Sequence, residues 1–111
     1  MIITCLNDKI KKIDEKIILI AIIGNLEAVK NGGIALEEAE KFLFSPHIME
    51  KLKRQGCDEK ILELIMRGCE LEDVVSLIPE KYNDIMEGMK QDALMLIKKY
   101  EVFNESFWFE E

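Results

Sequence analysis

Apolar residues recur three or four positions apart along most of this chain, the spacing that gathers them on one face of an α-helix. The first such run, Ile10, Ile13, Ile17, Ile20, Ala21 and Gly24, predicts a helix capped by Asn7 or Asp8 and closed at Asn31-Gly32-Gly33. Asparagine and aspartate accept the free backbone N–H groups of a first turn, and glycine tolerates the left-handed turn that ends helices. Residues 17 to 23 read IILIAII and are apolar all round, which predicts a central helix buried on most of its sides. Gly24 would admit a close neighbour or kink the helix.

A second, shorter helix is expected from about Leu36 to Phe44, with Leu36, Ala39, Phe42 and Leu43 inward and Glu37, Glu38, Glu40 and Lys41 outward. Ser45-Pro46 starts a third, because serine caps well and proline at the first helical position lacks only an N–H that would be unpaired there anyway. This helix carries Ile48, Met49 and Leu52 and stops at Gly56. Gly56-Cys57-Asp58-Glu59 is then echoed by Gly68-Cys69-Glu70-Leu71, each copy reading as a glycine stop, a cysteine and an acidic start to one short amphipathic helix. Pro79 opens the most regular run, Tyr82, Ile85, Met86, Met89, Ala93, Leu96, Ile97 and Tyr100, with acids early and Lys98 and Lys99 in its last turn, as the helix dipole favours. Residues 101–111 form an aromatic tail. The expectation is an all-α, single-domain bundle of about five or six helices spanning residues 1–111, with long first and last helices and short ones between.

Composition agrees with that fold class. A chain of 111 residues is the size of one domain, and four valines, one threonine and two tyrosines offer little for strands. Charge changes the picture more. The formal net charge is −7, but residues 1–31 hold five lysines against four acids while residues 32–111 hold ten bases against eighteen acids, a net of +1 and then −8. Direct nucleic-acid binding is disfavoured, since it depends on Lys and Arg neutralising phosphates, and anionic membrane is disfavoured for the same reason. A basic protein partner is favoured. The apolar run of seven residues is far short of a bilayer span, and the acids Asp8, Asp14 and Glu15 ahead of it do not suit a signal peptide. With three cysteines, Cys5, Cys57 and Cys69, in no short paired spacing, the expected home is the cytoplasm.

Candidate chemistry is sparse, so no enzyme activity and no cofactor or metal is expected. His47, the one histidine, forms an HxxE pair with Glu50 that could supply half of a metal site, and nothing in the sequence supplies the other half. Cys57 and Cys69 precede helix starts, where a thiol's pKa falls, yet acids follow each and oppose thiolate formation. Small buried hydrophobes is the better reading of both. Gly32-Gly33 lacks the phosphate-loop patterns, and the methionines Met66, Met86, Met89 and Met95 read as core filling ahead of an adaptable groove.

Three acidic groups are the candidate binding face: Glu37, Glu38 and Glu40; Glu70, Glu72 and Asp73; and Glu80, Asp84 and Glu87. Acids favour helix N-terminal turns on their own account. That explains each group singly and explains a net of −8 less well, since a field of that sign steers a basic partner. Phe107 and Trp108 in the tail are candidate apolar anchors.

From Gly24 to Tyr82 the chain, with GNLEAVKNGGIALEEAEKFLFSPHIMEKL and later ELEDVVSLIPEKY, resembles a family of short bacterial helical proteins of unknown function, most densely over Glu37 to Pro46. Such proteins look like immunity proteins of bacterial toxin systems, including contact-dependent growth inhibition. The resemblance implies a protein that binds a cognate toxin domain, often a basic nuclease, and blocks its active site or substrate access. It carries no functional residue across, because the shared motifs are helix starts and stops. The alternative expectation is a homodimeric helical adaptor or regulatory protein that pairs through the first helix or the tail.

Overall fold

The computed structural model describes residues 9–102, and all regular structure among them is helical. In order they form α1 (Lys12–Lys30), α2 (Leu36–Phe42), α3 (Pro46–Arg54), α4 (Glu59–Cys69), α5 (Leu71–Leu77), a 3-10 turn (Pro79–Lys81) and α6 (Tyr82–Ile97). The expected bundle of five or six helices reduces to four that carry the packing, α1, α3, α4 and α6. The seven-residue α2 and α5 are two turns each, too short to present a full face, and serve as connections.

The longest pairing is α1 against α6, with α4 touching both and α3 lying on α4. Ile18, Leu19, Ile22 and Leu26 of α1 are buried, as are Met86, Met89, Ala93 and Leu96 of α6 and Ile61, Leu64 and Ile65 of α4. Each set keeps the three-and-four spacing, so one stripe per helix meets in one core. The opposite side of α1 does not follow expectation. Ile20 is 47% exposed, so the all-apolar stretch is buried along one stripe and open along another.

Two helix ends read from glycine are confirmed in detail. Gly32 (φ +79°) and Gly56 (φ +81°) lie in the left-handed region. Around them Gly33 and Cys57 donate to the carbonyls of Ala28 (2.7 Å) and Leu52 (3.0 Å), while Gly32 and Gly56 donate to Val29 and Lys53, the paired bonds that close a helix after glycine. Ser45 caps α3 through Ile48 N–H (3.2 Å), and Asp58 caps α4 through Lys60 N–H (2.8 Å). The expected cap at Asn7 or Asp8 lies outside the described residues. α1 instead begins at Lys12, with the Asp14 carboxylate accepting the free Lys11 N–H (3.3 Å) from inside the first turn.

Gly68 is a different case, and the expectation of a second glycine stop is corrected. It lies inside α4, buried, with the Phe44 ring on its Cα; a Cβ there would sit 2.3 Å from Phe44 Cδ1. α2 ends at Phe42, two residues earlier than expected, so the chain turns and the inward aromatic is Phe44 (2% exposed) while Phe42 is 59% exposed. The aromatic that helical spacing pointed inward is therefore outward.

Among the described residues three polar ones are buried, Glu15, Asn25 and Gln55, and the charged one that spacing does not reveal is Glu15, 3% exposed. One carboxylate oxygen accepts Asp58 N–H at the start of α4 (2.7 Å), and the other accepts the Tyr100 hydroxyl beyond α6 (3.1 Å) and lies 3.3 Å from Lys12 Nζ. A buried charge is tolerable when its lone pairs are satisfied, and here the donors come from three elements. Tyr100 is held protonated well above its usual range by burial and then by the Glu15 charge.

Two stability measurements test these contacts. Gly68→Ala gains about 1 kcal/mol of helix propensity but forces the buried Phe44 to move, which costs about 1–3 kcal/mol; chemical denaturation is expected to show net destabilisation, partly recovered by adding Phe44→Leu. Glu15→Ala leaves the Asp58 N–H without its acceptor and should cost about 1–3 kcal/mol. Glu15→Gln, which keeps an amide oxygen at that place, should cost less. Equal losses for the alanine and glutamine variants would show that the hydrogen bonds carry none of it.

Candidate functional site

The three acidic groups do not share one fate. Glu87 belongs to α6 where it faces α1, and its carboxylate lies 3.1 Å from Lys90 Nζ and 3.5 Å from Lys30 Nζ while accepting from Gln91 (2.9 Å). Lys90 also reaches Glu27 of α1 (2.5 Å). Hydrogen bonds from Gln91 and Lys90 bring Glu87 down to about 2, and Lys90 lowers Glu27 likewise. This carboxylate is already occupied in bridging α1 and α6. Glu80 and Asp84, on the 3-10 turn and the first turn of α6, are exposed.

The first two groups meet through one pair of carboxyls, Glu40 and Glu72. Glu37 and Glu38 are exposed on α2, and Glu40 is half-buried beside the Glu72 carboxyl of α5. Burial, a hydrogen bond shared with Glu72 and the charges of Glu72 and Glu37 hold the Glu40 carboxyl above the usual range, because two acids in contact cannot both ionise cheaply. Its field reaches further. Cys69 and Tyr82 are both raised, first by burial and second by Glu40. Glu70, Glu72 and Asp73 are exposed on the chain turn between α4 and α5 and on α5 itself. None of Glu37, Glu38, Glu40, Glu70, Glu72 and Asp73 makes an ion pair among the described residues.

Apolar side chains accompany these acids. Phe42 of α2, Val75 and Leu77 of α5 and the following Ile78 are all exposed, Leu77 at 77%. Sequence spacing set none of the four outward, since it placed Phe42 inward and read Val74, Val75 and Leu77 as the apolar positions of one short amphipathic helix. The elements that set them out are the turn that buries Leu43 and Phe44 and the break at Glu70, where α4 gives way to α5. Phe107 and Trp108 lie outside the described residues.

The remaining candidates resolve simply. Cys57 is buried and its thiol is pushed up to about 12, chiefly by burial and then by Glu15. A thiol of that kind is a small hydrophobe, not a nucleophile. His47 and Glu50 are exposed, and no group of three metal-ligating side chains occurs among the described residues. Met86 and Met89 are core, whereas Met66 and Met95 are exposed. Met95 borders an open cleft between α4 and α6, lined also by Lys60, Arg67 and Lys99 and crossed by the Arg67–Asp92 ion pair (2.7 Å). No helix among the described residues is long and apolar enough to cross a membrane.

The two kinds of carboxylate predict opposite pH responses. Glu40 is raised on folding, so its contribution is present at low pH and lost as pH rises through its folded value. Glu40→Gln should therefore raise the melting temperature at neutral pH, with the gain vanishing once the wild-type carboxyl is protonated. Glu87 is depressed to about 2, so its contribution is present at neutral pH and lost as pH falls from 4.5 toward 2. Glu87→Gln should lower the melting temperature at neutral pH and converge on wild type in acid. Identical pH profiles for both variants would refute the assignment.

One family of proteins matches the chain, over residues 8–110, and its description, protein of unknown function (DUF3969), attaches no activity. No curated protein and no solved structure matches significantly. The match takes in every described helix. The chain is a member of the DUF3969 family.

Proposed function

We propose that this protein acts by binding a basic protein partner on the acidic face of α2 and α5, and that the partner is a bacterial toxin domain, which it neutralises as an immunity protein. The observation that carries the binding reading is the meeting of Glu40 and Glu72 with no ion pair to either among the described residues, while Phe42, Val75, Leu77 and Ile78 of the same two helices and the residue after them are exposed. Carboxylates in contact weaken the free protein slightly. A lysine or arginine from a partner would relieve that repulsion while the apolar side chains supply the dry centre of an interface. The net charge of −7 would speed encounter with a basic surface and make it salt-sensitive. The toxin reading rests on the resemblance of residues 24–82 and on how small, acidic and sparse in catalytic groups the chain is; blocking needs no chemistry of its own.

Co-expression with the product of the adjacent upstream gene tests this reading, because an immunity gene commonly follows its toxin. Protection from a toxic neighbour is expected, together with its loss in Glu40→Lys/Glu72→Lys and a steep fall in affinity as salt is raised. A harmless neighbour, or a toxic one against which this protein gives no protection, sinks the toxin reading. Undiminished protection by the charge-reversed variant moves the interface elsewhere.

A further inference from the structure

α1 has a second apolar stripe that the core does not use. Ile13, Ile17, Ile20 and Gly24 stand four, three and four residues apart and so share one side of the helix. Ile13 and Ile17 are half-buried without being among the apolar side chains packed on the described core, Ile20 is 47% exposed, and a Cβ at Gly24 would meet nothing within 4 Å. The stripe is about 16 Å long at the helical rise. Soluble surfaces seldom leave such a line of isoleucines only partly covered.

The chain itself returns to this place. Lys16, within the same stretch of α1, donates from Nζ to the Glu101 carbonyl at 2.7 Å, so the backbone beyond α6 is held against α1 just before Phe103. Residues 103–111 then hold Phe103, Phe107, Trp108 and Phe109 together with the acids Glu105, Glu110 and Glu111. Nine residues reach about 30 Å when extended, nearly twice the stripe. Residues 9–16 carry four lysines against two acids, a local excess of positive charge in an acidic protein.

We propose that the outward stripe of α1 receives the chain's own C-terminal segment, residues 103–111, aromatic side chains over Ile13, Ile17 and Ile20 and acids among the lysines of residues 9–16. Hydrophobic contact supplies the adhesion and opposite charge the direction. The segment is then part of the fold, and Phe107 and Trp108 are not available as anchors for a partner. This inference is independent of what binds α2 and α5.

Trp108 is the only tryptophan, so its emission reports the segment directly in the full-length protein. Wild type is expected to emit at short wavelength and to resist acrylamide quenching, equally at all protein concentrations. Ile17→Asp and Ile20→Glu should shift the emission to longer wavelength and raise the quenching constant severalfold, with helicity retained by circular dichroism. Gly24→Glu, in open space and favourable to a helix, is a second probe that does not threaten folding and should act in the same direction. Met95→Glu, at the cleft between α4 and α6, should change nothing. Free quenching of Trp108 in wild type, or protection untouched by the stripe variants, overturns the proposal. So does protection that grows with concentration alongside a dimer in sedimentation, which assigns the stripe to a second copy.

Discussion

One buried carboxylate closes the bundle. Glu15 enters the interior from the first turns of α1 and takes hydrogen bonds from the start of α4 and from Tyr100 beyond α6, so three elements distant in sequence are tied at one point. The cost of removing a charge from water is high, and it is offset only because the Asp58 N–H and the Tyr100 hydroxyl are both aimed at it. Interdigitated apolar packing holds α1, α4 and α6 together, and these hydrogen bonds add direction to it. The Glu15 bonds tie the residue that follows Cys57 and the chain leaving α6 to the first turns of α1.

At the far end of α4 the constraint is steric. Phe44 lies against Gly68, where no side chain intervenes, and this contact draws the chain after α2 onto the C-terminal end of α4. Glu40 and Glu72 meet as a result, one from α2 and one from α5, and their repulsion follows from that placement. The same residue type behaves otherwise a short distance away. Glu87 and Glu27 share Lys90 between α1 and α6, and there charge holds helices together. Paired acids on the α1–α6 seam and unpaired acids on α2 and α5 divide the negative charge into a structural part and a part left for something else.

Much of this was legible in the chain. Ser45-Pro46, Gly32 and Gly56 announced helix boundaries because capping and left-handed turns are chemistry of a few neighbouring residues, and the buried stripes of α4 and α6 followed from their spacing. The two Gly-Cys segments show where such reading stops. Gly56 and Gly68 look alike, yet one makes a left-handed turn and the other a notch for an aromatic ring twenty-four positions earlier. Phe42, expected inward, stands outward and Phe44 is buried in its stead because α2 ends two residues early, a choice made by what α4 offers the ring. Glu15 gave no signal at all, since a charged residue in an amphipathic run reads as surface unless its donors are known.

For the candidate site, the types and numbers of acids came from the chain alone, and their sorting did not. The spacing of apolar residues was enough to determine a helical fold class and the tally of charges a negative field, because neither needs coordinates. Which carboxylates are neutralised by lysines, which meet one another, and which apolar side chains stand beside them depends on contacts between residues tens of positions apart. Only the packing of α1, α4 and α6 around Glu15, and of Phe44 on Gly68, decided that.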